Sequence, residues 1–488
     1  MITWGISANS HNAALAVFDN DRLVFASESE RFSRQKNDPD LNLKLIAAAN
    51  KYGDPGQIYW YENPWAKTLR QFTAGQGFNL KENSVPEYLK RFGITCPVSY
   101  AWHHHSHAAA GYYTSRFDNA CVVVIDAIGE FETLTIWHGQ GSKLKKVYSQ
   151  WYPHSVGLWY SAMTQRCGLK PNEEEYILMG MAALGDPNRL YQSIKDDFVA
   201  YTWPRIVSFK QNLHRGCRDW RPELNSQQDI YDIAAATQKV YEEIFEMILM
   251  YARHATGSSN LVLMGGCALN CAANPLALKF FKDVWIMPAP GDNGSSIGAV
   301  LAHKQKHIEW PGVYLGYDMG YRSSNEEIVE HLLTHKVCGV ARGRAEMGPR
   351  ALGNRSLLAD PRGAEIKALI NEIKHREQFR PFAPSILAEF ANQHFKTSLK
   401  SMTYMQFTAP ILEYESFPAV VHLDGTSRVQ TVTKDDNPEF RALLELWYAR
   451  TGCPMLLNTS LNIRGEPMVN DHRDSQRWSE RYGVRVFN

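Results

Sequence analysis

Residues 121–142 read Cys121-Val122-Val123-Val124-Ile125-Asp126-Ala127-Ile128-Gly129-Glu130-Phe131-Glu132-Thr133-Leu134-Thr135-Ile136-Trp137-His138-Gly139-Gln140-Gly141-Ser142. The β-branched run Cys121–Ile125 predicts a buried strand that ends in Asp126. Thr133–His138 then returns as a second strand before the Gly-rich turn Gly139–Ser142. The chain opens the same way. Ile2–Ile6 reads as a strand, and after a loop Ala13–Phe18 and Arg22–Ala26 flank the turn Asp19-Asn20-Asp21. Two such openings in one chain predict duplicated α/β halves facing each other across a cleft.

Bulk properties frame that reading. With 488 residues the chain can bury two or three separate cores. Hydrophobic residues make up 44% and charged residues 21%, which excludes a disordered or fibrous chain. Because 52 Lys and Arg nearly cancel 51 Asp and Glu, no net field steers the molecule to nucleic acid or to an acidic membrane face. No apolar stretch is long enough to span a bilayer, and Met1–Asn12 lacks the features of a signal peptide, so no membrane association and a cytoplasmic location are expected. Eight cysteines scattered from Cys96 to Cys453 fit a reducing compartment. Cys267 and Cys271 have no second pair at zinc-site spacing and read as small packing residues.

Further along, Ser226–His254 carries Ile230, Ile233, Val240, Ile244 and Met247 at helical spacing. Leu261–Met264 reads as a strand running into Gly265-Gly266-Cys267-Ala268-Leu269-Asn270, and Val284–Met287 as another ending in Pro288–Asp292. In both loops glycines free backbone N–H groups to approach an anion at a helix start, although packing turns are glycine-rich too. Together the loops favour ATP. The Pro- and Gly-containing stretch Trp310–Asn325 reads as a linker, giving expected domains over 1–315 and 316–488.

His103-His104-His105-Ser106-His107 opens an expected helix, on which only positions three or four apart share a face. That singles out His103 with His107. Two imidazoles at this spacing are half of many metal sites, and carboxylates at strand ends, here Asp126 and Asp292, complete the set. The alternative is a histidine cluster beside two helix-capping aspartates. A His/Asp set with open positions suits iron, zinc or manganese.

From Arg342 to Arg380 there are nine Lys or Arg against five Asp or Glu, interleaved with Gly343, Gly348, Gly353 and Gly363. Guanidinium forks beside backbone-exposing glycines suit several phosphate oxygens. Lys374, Arg376 and Arg380 follow at spacings that fit one wall, and Arg428 and Asn458-Thr459-Ser460 supply further donors. A nucleic-acid groove or structural ion pairs are the alternatives. The apolar Pro381-Phe382-Ala383-Pro384 beside Arg380 favours a closed small-anion pocket.

These ordered motifs resemble the NodU-type O-carbamoyltransferases of nodulation and antibiotic pathways over nearly the whole chain. The resemblance rests on His11-Asn12-Ala13-Ala14, Ser27–Lys36, His103–His107, Asp126 with Glu130, and Met179-Gly180-Met181-Ala182. It continues through Gly265–Asn270, Gly291-Asp292, Gly343–Pro384, Asp424–Val432 and Leu457–Asn462. It implies an N-terminal actin-like (ASKHA, duplicated) module followed by a YrdC-like α/β domain.

The resemblance also implies roles. The C-terminal domain would form carbamoyl adenylate from carbamoyl phosphate and ATP, with Mg accompanying the ATP. Arg350, Lys374, Arg380, Arg428, Asn458 and Ser460 match its binding residues. The N-terminal domain would pass the carbamoyl group to a hydroxyl-bearing acceptor. There His103, His107, Asp126 and Asp292 match metal ligands, iron being the implied metal, His11 matches a histidine beside the acceptor, and Lys36 matches a nucleotide contact. With the glycine loop, the expected cofactor-binding set also contains Gly265, Gly266 and Asn270.

The chain departs from the family pattern at Asn12, where members read Asp, and at Ile177, where they carry Lys. Neither change removes a metal ligand. Similarity to a shorter virus-encoded branch and the basic residues Lys210, His214, Arg215, Arg218 and Arg221 point to DNA bearing hydroxymethylated pyrimidines as acceptor. Other readings are carbamoylation of a sugar or antibiotic-type product, tRNA-type carbamoylation of a base amine, and an inactive nucleotide-binding regulator.

Overall fold

The computed structural model describes every residue from Met1 to Asn488. It divides into two compact units, Met1–Ser29 with Asn37–Trp310, and Glu30–Lys36 with Pro311–Asn488. The division falls at the start of the Trp310–Asn325 stretch. The segment Glu30–Lys36, which a contiguous N-terminal domain would hold, belongs with the second unit. There Arg31 Nη2 donates to Gly348 O at 2.8 Å and Arg34 Nη2 to Pro467 O at 2.9 Å.

The first unit is built on one topology used twice. Strands β1 (Ile2–Ser7), β2 (Ala14–Asp19), β3 (Arg22–Glu28), β4 (Gln57–Trp60) and β5 (Val98–Tyr100) form a sheet in the order β3-β2-β1-β4-β5. The first three pair antiparallel, and β4 and β5 join parallel. In the second half β6 (Asn119–Gly129), β7 (Glu132–Gln140) and β8 (Lys143–Trp151) pair antiparallel. A small pair, β9 (Val199–Ala200) with β10 (Ser208–Phe209), lies in the connection that follows. Then β11 (Asn260–Met264) and β12 (Asp283–Ile286) join β6 in parallel, giving β12-β11-β6-β7-β8. The mixed α/β architecture and its duplication are those expected from the two hairpin openings.

Local chemistry explains the elements. The helix Gln227–Thr256 starts at a capping box in which Ser226 and Asp229 satisfy each other's backbone N–H, and it stops at left-handed Gly257 (φ +66°). Each half ends in a helix after its fifth strand, His103–Thr114 in the first and Ser295–Lys304 in the second. These two helices touch through backbone. A Cβ on Gly298 would lie 1.8 Å from Ser106 O, and one on Gly5 of β1 would lie 1.9 Å from Ser296 O. No helix is long and apolar enough to cross a membrane.

One strand differs from its expectation. β6 does not stop at Asp126 but continues to Gly129, with an irregular register against β7 between Ile125 and Gly129. Asp126 therefore stands within the strand, where the irregularity turns its side chain out of the regular pleat.

The second unit contains β13 (Tyr314–Asp318), β14 (Val337–Ala341), β15 (Arg344–Glu346), β16 (Arg355–Ala359), β17 (Ala383–Leu387), β18 (Thr408–Pro410), β19 (Thr426–Arg428), β20 (Gln430–Val432), β21 (Met455–Ser460) and β22 (Val486–Phe487). Its main sheet runs β20-β17-β21-β16-β14-β22 with mixed pairing. The interior is made by Leu357, Leu358, Ile386, Leu456, Leu457 and Trp447.

Within the arginine-rich block, Arg355 is fully buried and donates to the carbonyls of Tyr317, Arg342, Gly343, Asn354 and Asn470. Burial pushes its guanidinium down to about 10. Glu346 Oε1 gathers the N–H groups of Leu352, Asn354 and Arg355 at 2.7, 2.9 and 3.2 Å. Arg355→Met leaves five carbonyls short of a donor, so the second unit is expected to lose at least about 3 kcal/mol. Urea unfolding measures it, and an unchanged midpoint would remove Arg355 from the scaffold.

Candidate functional site

Four side chains of the first unit converge on one point. The helix His103–Thr114 places His103 and His107 on one face, β6 supplies Asp126, and the turn leading into Ser295–Lys304 supplies Asp292. His103 Nε2 is 3.1 Å from Asp126 Oδ2 and 3.4 Å from Asp292 Oδ1. His107 Nε2 is 3.4 and 3.3 Å from the same two oxygens, and the imidazole nitrogens are 3.1 Å apart. Ligands ~2.0–2.2 Å from a shared metal stand roughly 2.9–3.5 Å apart. The five separations match that geometry.

The chemistry of the set fits a cation. Two imidazoles cannot both carry a proton on nitrogens that face each other at 3.1 Å. Burial works against charge here, yet Asp292 and Asp126 outweigh it and raise His103 well above the usual imidazole range. Burial likewise opposes ionisation of Asp126, but His103 and His107 hold it well below the carboxylate range. A divalent cation satisfies all four groups at once. Asp126 is oriented from outside the set by Gly266 N, which donates to its Oδ1 at 3.2 Å. Glu130 steadies the histidine helix by accepting from His103 N at 3.1 Å, and it also accepts from Asn63 N at 2.7 Å. Burial pushes the Glu130 carboxyl up to about 7.

Asp292 is not at the end of β12, which stops at Ile286. It opens the turn Asp292–Gly294 that starts the last helix. His11 lies in the loop between β1 and β2, half-buried, and its Nε2 has no hydrogen-bond partner. Asn12 beside it has φ +56°, a left-handed conformation that Asn tolerates well. That loop is braced by Lys67, whose Nζ donates to Asn9 O at 2.8 Å and to Glu62 at 2.6 Å in a buried pair.

The glycine loop is used internally. Gly265, at φ +88°, donates to Pro290 O at 2.9 Å, and a Cβ there would lie 2.2 Å from Ile125 O. Gly266 N is spent on Asp126, and the loop runs into the short turn Gly266–Leu269 rather than an α-helix. Asn270 exchanges hydrogen bonds with Gln238 at 3.0 and 3.1 Å. Ile177 is a core residue.

In the second unit, β21 brings Asn458 and Ser460 to one face, two residues apart. Lys374, at the end of the helix Ala364–Ile373, reaches Ser460 and Asn462 and donates to Asn462 O at 2.7 Å and Oδ1 at 3.0 Å. All its acceptors are neutral oxygens. Burial, with Arg376 and Arg380 nearby, pushes Lys374 well below the usual lysine range.

Asn458 Nδ2 donates to Ser385 Oγ (2.9 Å) and Gln430 Oε1 (3.0 Å), while its Oδ1 and the Arg428 Nε are buried without partners. Arg350 is half-buried. Arg380 lies 3.7 Å from Glu377. Lys36 pairs with both oxygens of Glu30 at 2.8 and 2.9 Å. Arg344 donates to Gly316 O and, like Arg355, is scaffold. Lys67, Glu62 and Ser385 are outside the sequence motifs, because each meets its site through sheet pairing or helix packing rather than local spacing.

The carbamoyltransferase N-terminus family model matches residues 57–301 and the carbamoyltransferase C-terminus model residues 329–487. Nodulation protein U of Rhizobium tropici is 37% identical, covering 96% of this chain and 92% of its own. The 3'-hydroxymethylcephem-O-carbamoyltransferase of Amycolatopsis lactamdurans is 28% identical, covering 97% of this chain and 95% of its own. Among solved structures, full-length HypF in its phosphate- and nucleotide-bound form covers 62% of this chain and 46% of its own, with 12% identity and a TM-score of 0.39.

Replacing one carboxylate of the cluster, as in Asp292→Asn, is expected to lower metal affinity by at least about tenfold, the loss typical of even an outer-shell partner. Metal analysis after dialysis against a chelator checks it. Retention equal to wild type would separate Asp292 from the ion.

Proposed function

The chain belongs to the carbamoyltransferase family and is an O-carbamoyltransferase, and we propose that its two units divide the reaction between activation and transfer. The observation that carries this reading is the buried His103/His107/Asp126/Asp292 centre in one unit, with a separate cationic wall in the other.

In the second unit Lys374, Arg376 and Arg380 form a cluster whose buried lysine has only neutral acceptors, a surplus of positive charge that suits phosphate. Carbamoyl phosphate and ATP are the proposed ligands. With one water they give carbamoyl adenylate, releasing phosphate and pyrophosphate, while Arg350, Arg428, Asn458 and Ser460 orient the reactants. The proposed contribution of Gly265, Gly266 and Asn270 is to hold Asp126 and its loop rather than to cradle phosphate through free N–H groups. Lys36, drawn to Glu30, is proposed to serve nucleotide binding in the second unit, to which its segment belongs.

In the first unit the acceptor hydroxyl attacks the carbamoyl carbon and AMP leaves. His11, whose Nε2 is unpaired, takes the hydroxyl proton. A metal held by His103, His107, Asp126 and Asp292 supplies Lewis-acid stabilisation of negative charge. Iron is the proposed metal on family resemblance, and zinc or manganese would satisfy the same donors.

The proposed acceptor is a small molecule carrying a hydroxyl, such as a sugar or antibiotic-type product. The basic residues that pointed to DNA are partly committed. Lys210 donates to Asp196 O, and Arg221 pairs with Asp197 at 3.2 Å.

Pyrophosphate release from ATP is expected to depend on carbamoyl phosphate. Release without it, or none in its presence, would defeat the activation step. His11→Ala is expected to slow carbamoyl transfer by about 10²–10⁴. Mass spectrometry of the acceptor reads the transfer, and an unchanged rate would take His11 out of the chemistry.

A further inference from the structure

We propose that the acceptor carries an anionic group, a carboxylate or phosphate, and that Arg70 receives it with His214 and Arg215 while the hydroxyl is presented to the metal centre. This deepens the transfer reading above and rests on it.

Arg70 lies on the helix Pro64–Thr73, whose first turn is tied to the metal shell. Asn63 caps that helix, and Asn63 N donates to the same Glu130 carboxylate that accepts from His103 N. Arg70 is seven residues on, ~10 Å along the helix axis. Its guanidinium makes one hydrogen bond, from Nη1 to Gln76 Oε1 at 2.9 Å, and its Nε is buried without a partner. No carboxylate lies within salt-bridge distance, because the nearby Glu62 is taken by Lys67 and Glu130 by backbone N–H groups.

From Gln76 the chain of contacts crosses to a second connection. Gln76 Nε2 is 3.2 Å from His214 Nε2, and His214 Nδ1 is buried with no partner. The His214 ring stands edge-on to Tyr152 at 5.8 Å, and Tyr152 Oη accepts from Asn212 Nδ2 at 2.6 Å. Arg215 is exposed, with no acidic partner. Burial pushes His214 down, and Arg70 and Arg215 push it further, so all three lie in one field. Arg70 in turn is lowered by burial despite Glu62, Tyr152, Tyr61 and Glu130, and the Tyr61 ring lies tilted against His103 with centroids 5.2 Å apart. The cluster thus holds unfilled donors, net positive charge and partial access to solvent beside the metal shell, the composition of an anion subsite.

The test compares binding of para-hydroxymethylbenzoate with its neutral amide at low salt, by calorimetry on the metal-loaded full chain. The acid is expected to bind roughly 10- to 100-fold more tightly. Arg70→Gln should erase that preference, Arg70→Lys should keep part of it, and Arg215→Gln should weaken it. Melting temperature controls for folding.

Equal affinity for acid and amide, or a preference that survives Arg70→Gln, overturns the proposal. So does tighter, Arg70-independent binding of duplex DNA carrying hydroxymethylcytosine. Pyrophosphate release by the wild type separates the two readings. An intact acid preference without carbamoyl-phosphate-dependent release upholds the anion subsite and defeats the activation step on which the proposed transfer depends. Release with equal affinities does the reverse.

Discussion

The candidate metal centre depends on how closely two backbones approach. Asp292 can meet His103 and His107 because the helix it precedes lies against the histidine helix with no side chain between Gly298 and Ser106 O. A Cβ at position 298 would separate the helices. Ligand separations of 3.1–3.4 Å leave no room for such a shift, since a metal site tolerates only small changes in ligand distance. Asp126 is held from the other side by Gly266 N, and Gly265 makes that possible by resting on Ile125 O. Four ligands from three elements are therefore registered by glycines that touch backbone, not by the ligands' own packing.

The second unit solves a different problem, that of concentrating cations without unfolding. Arg355 and Arg344 are solvated by carbonyl dipoles, and Glu346 organises the N–H groups of the same turn. Lys374 is likewise surrounded by neutral oxygens. Around Lys374 itself, solvation by neutral oxygens takes the place of a carboxylate partner, while Glu377 stands 3.7 Å from Arg380.

Much of this was legible from spacing. The helix from Ser226, the repeated hairpin openings and the His103/His107 pair follow from periods of two and 3.6 residues, which act within one element. What was not legible depended on contacts between distant elements. Asp126 reads as a strand end because the β-branched run stops at Ile125, yet pairing with β7 carries β6 to Gly129. Gly265 and Gly266 read as an anion cradle, but their N–H groups meet Pro290 and Asp126, which only the tertiary structure brings near. The arginines of the 342–380 block look alike in sequence. Burial sets Arg355 apart from the half-buried Arg350 and Arg380, while Arg344, half-buried as well, is marked as scaffold by its hydrogen bonds to the Leu315 and Gly316 carbonyls.

Variation in function is easiest where the fold constrains it least. The candidate ligands sit on the last helix of the first half, on the first strand of the second and in the turn before its last helix, so altering their positions disturbs both halves. Arg70 and Gln76 belong instead to the connection between β4 and β5, and Tyr152, Asn212 and His214 to the long connection after β8. These segments cross the surface and meet through side chains, as in the Gln76–His214 contact. Such connections can change residue by residue without moving Glu130, which fixes only the first turn of the helix carrying Arg70. The chemistry of transfer is thus separated from the choice of acceptor. One scaffold can keep the geometry of its His/Asp cluster while the charge on these connections is rewritten, which is how the proposed subsite would change its acceptor.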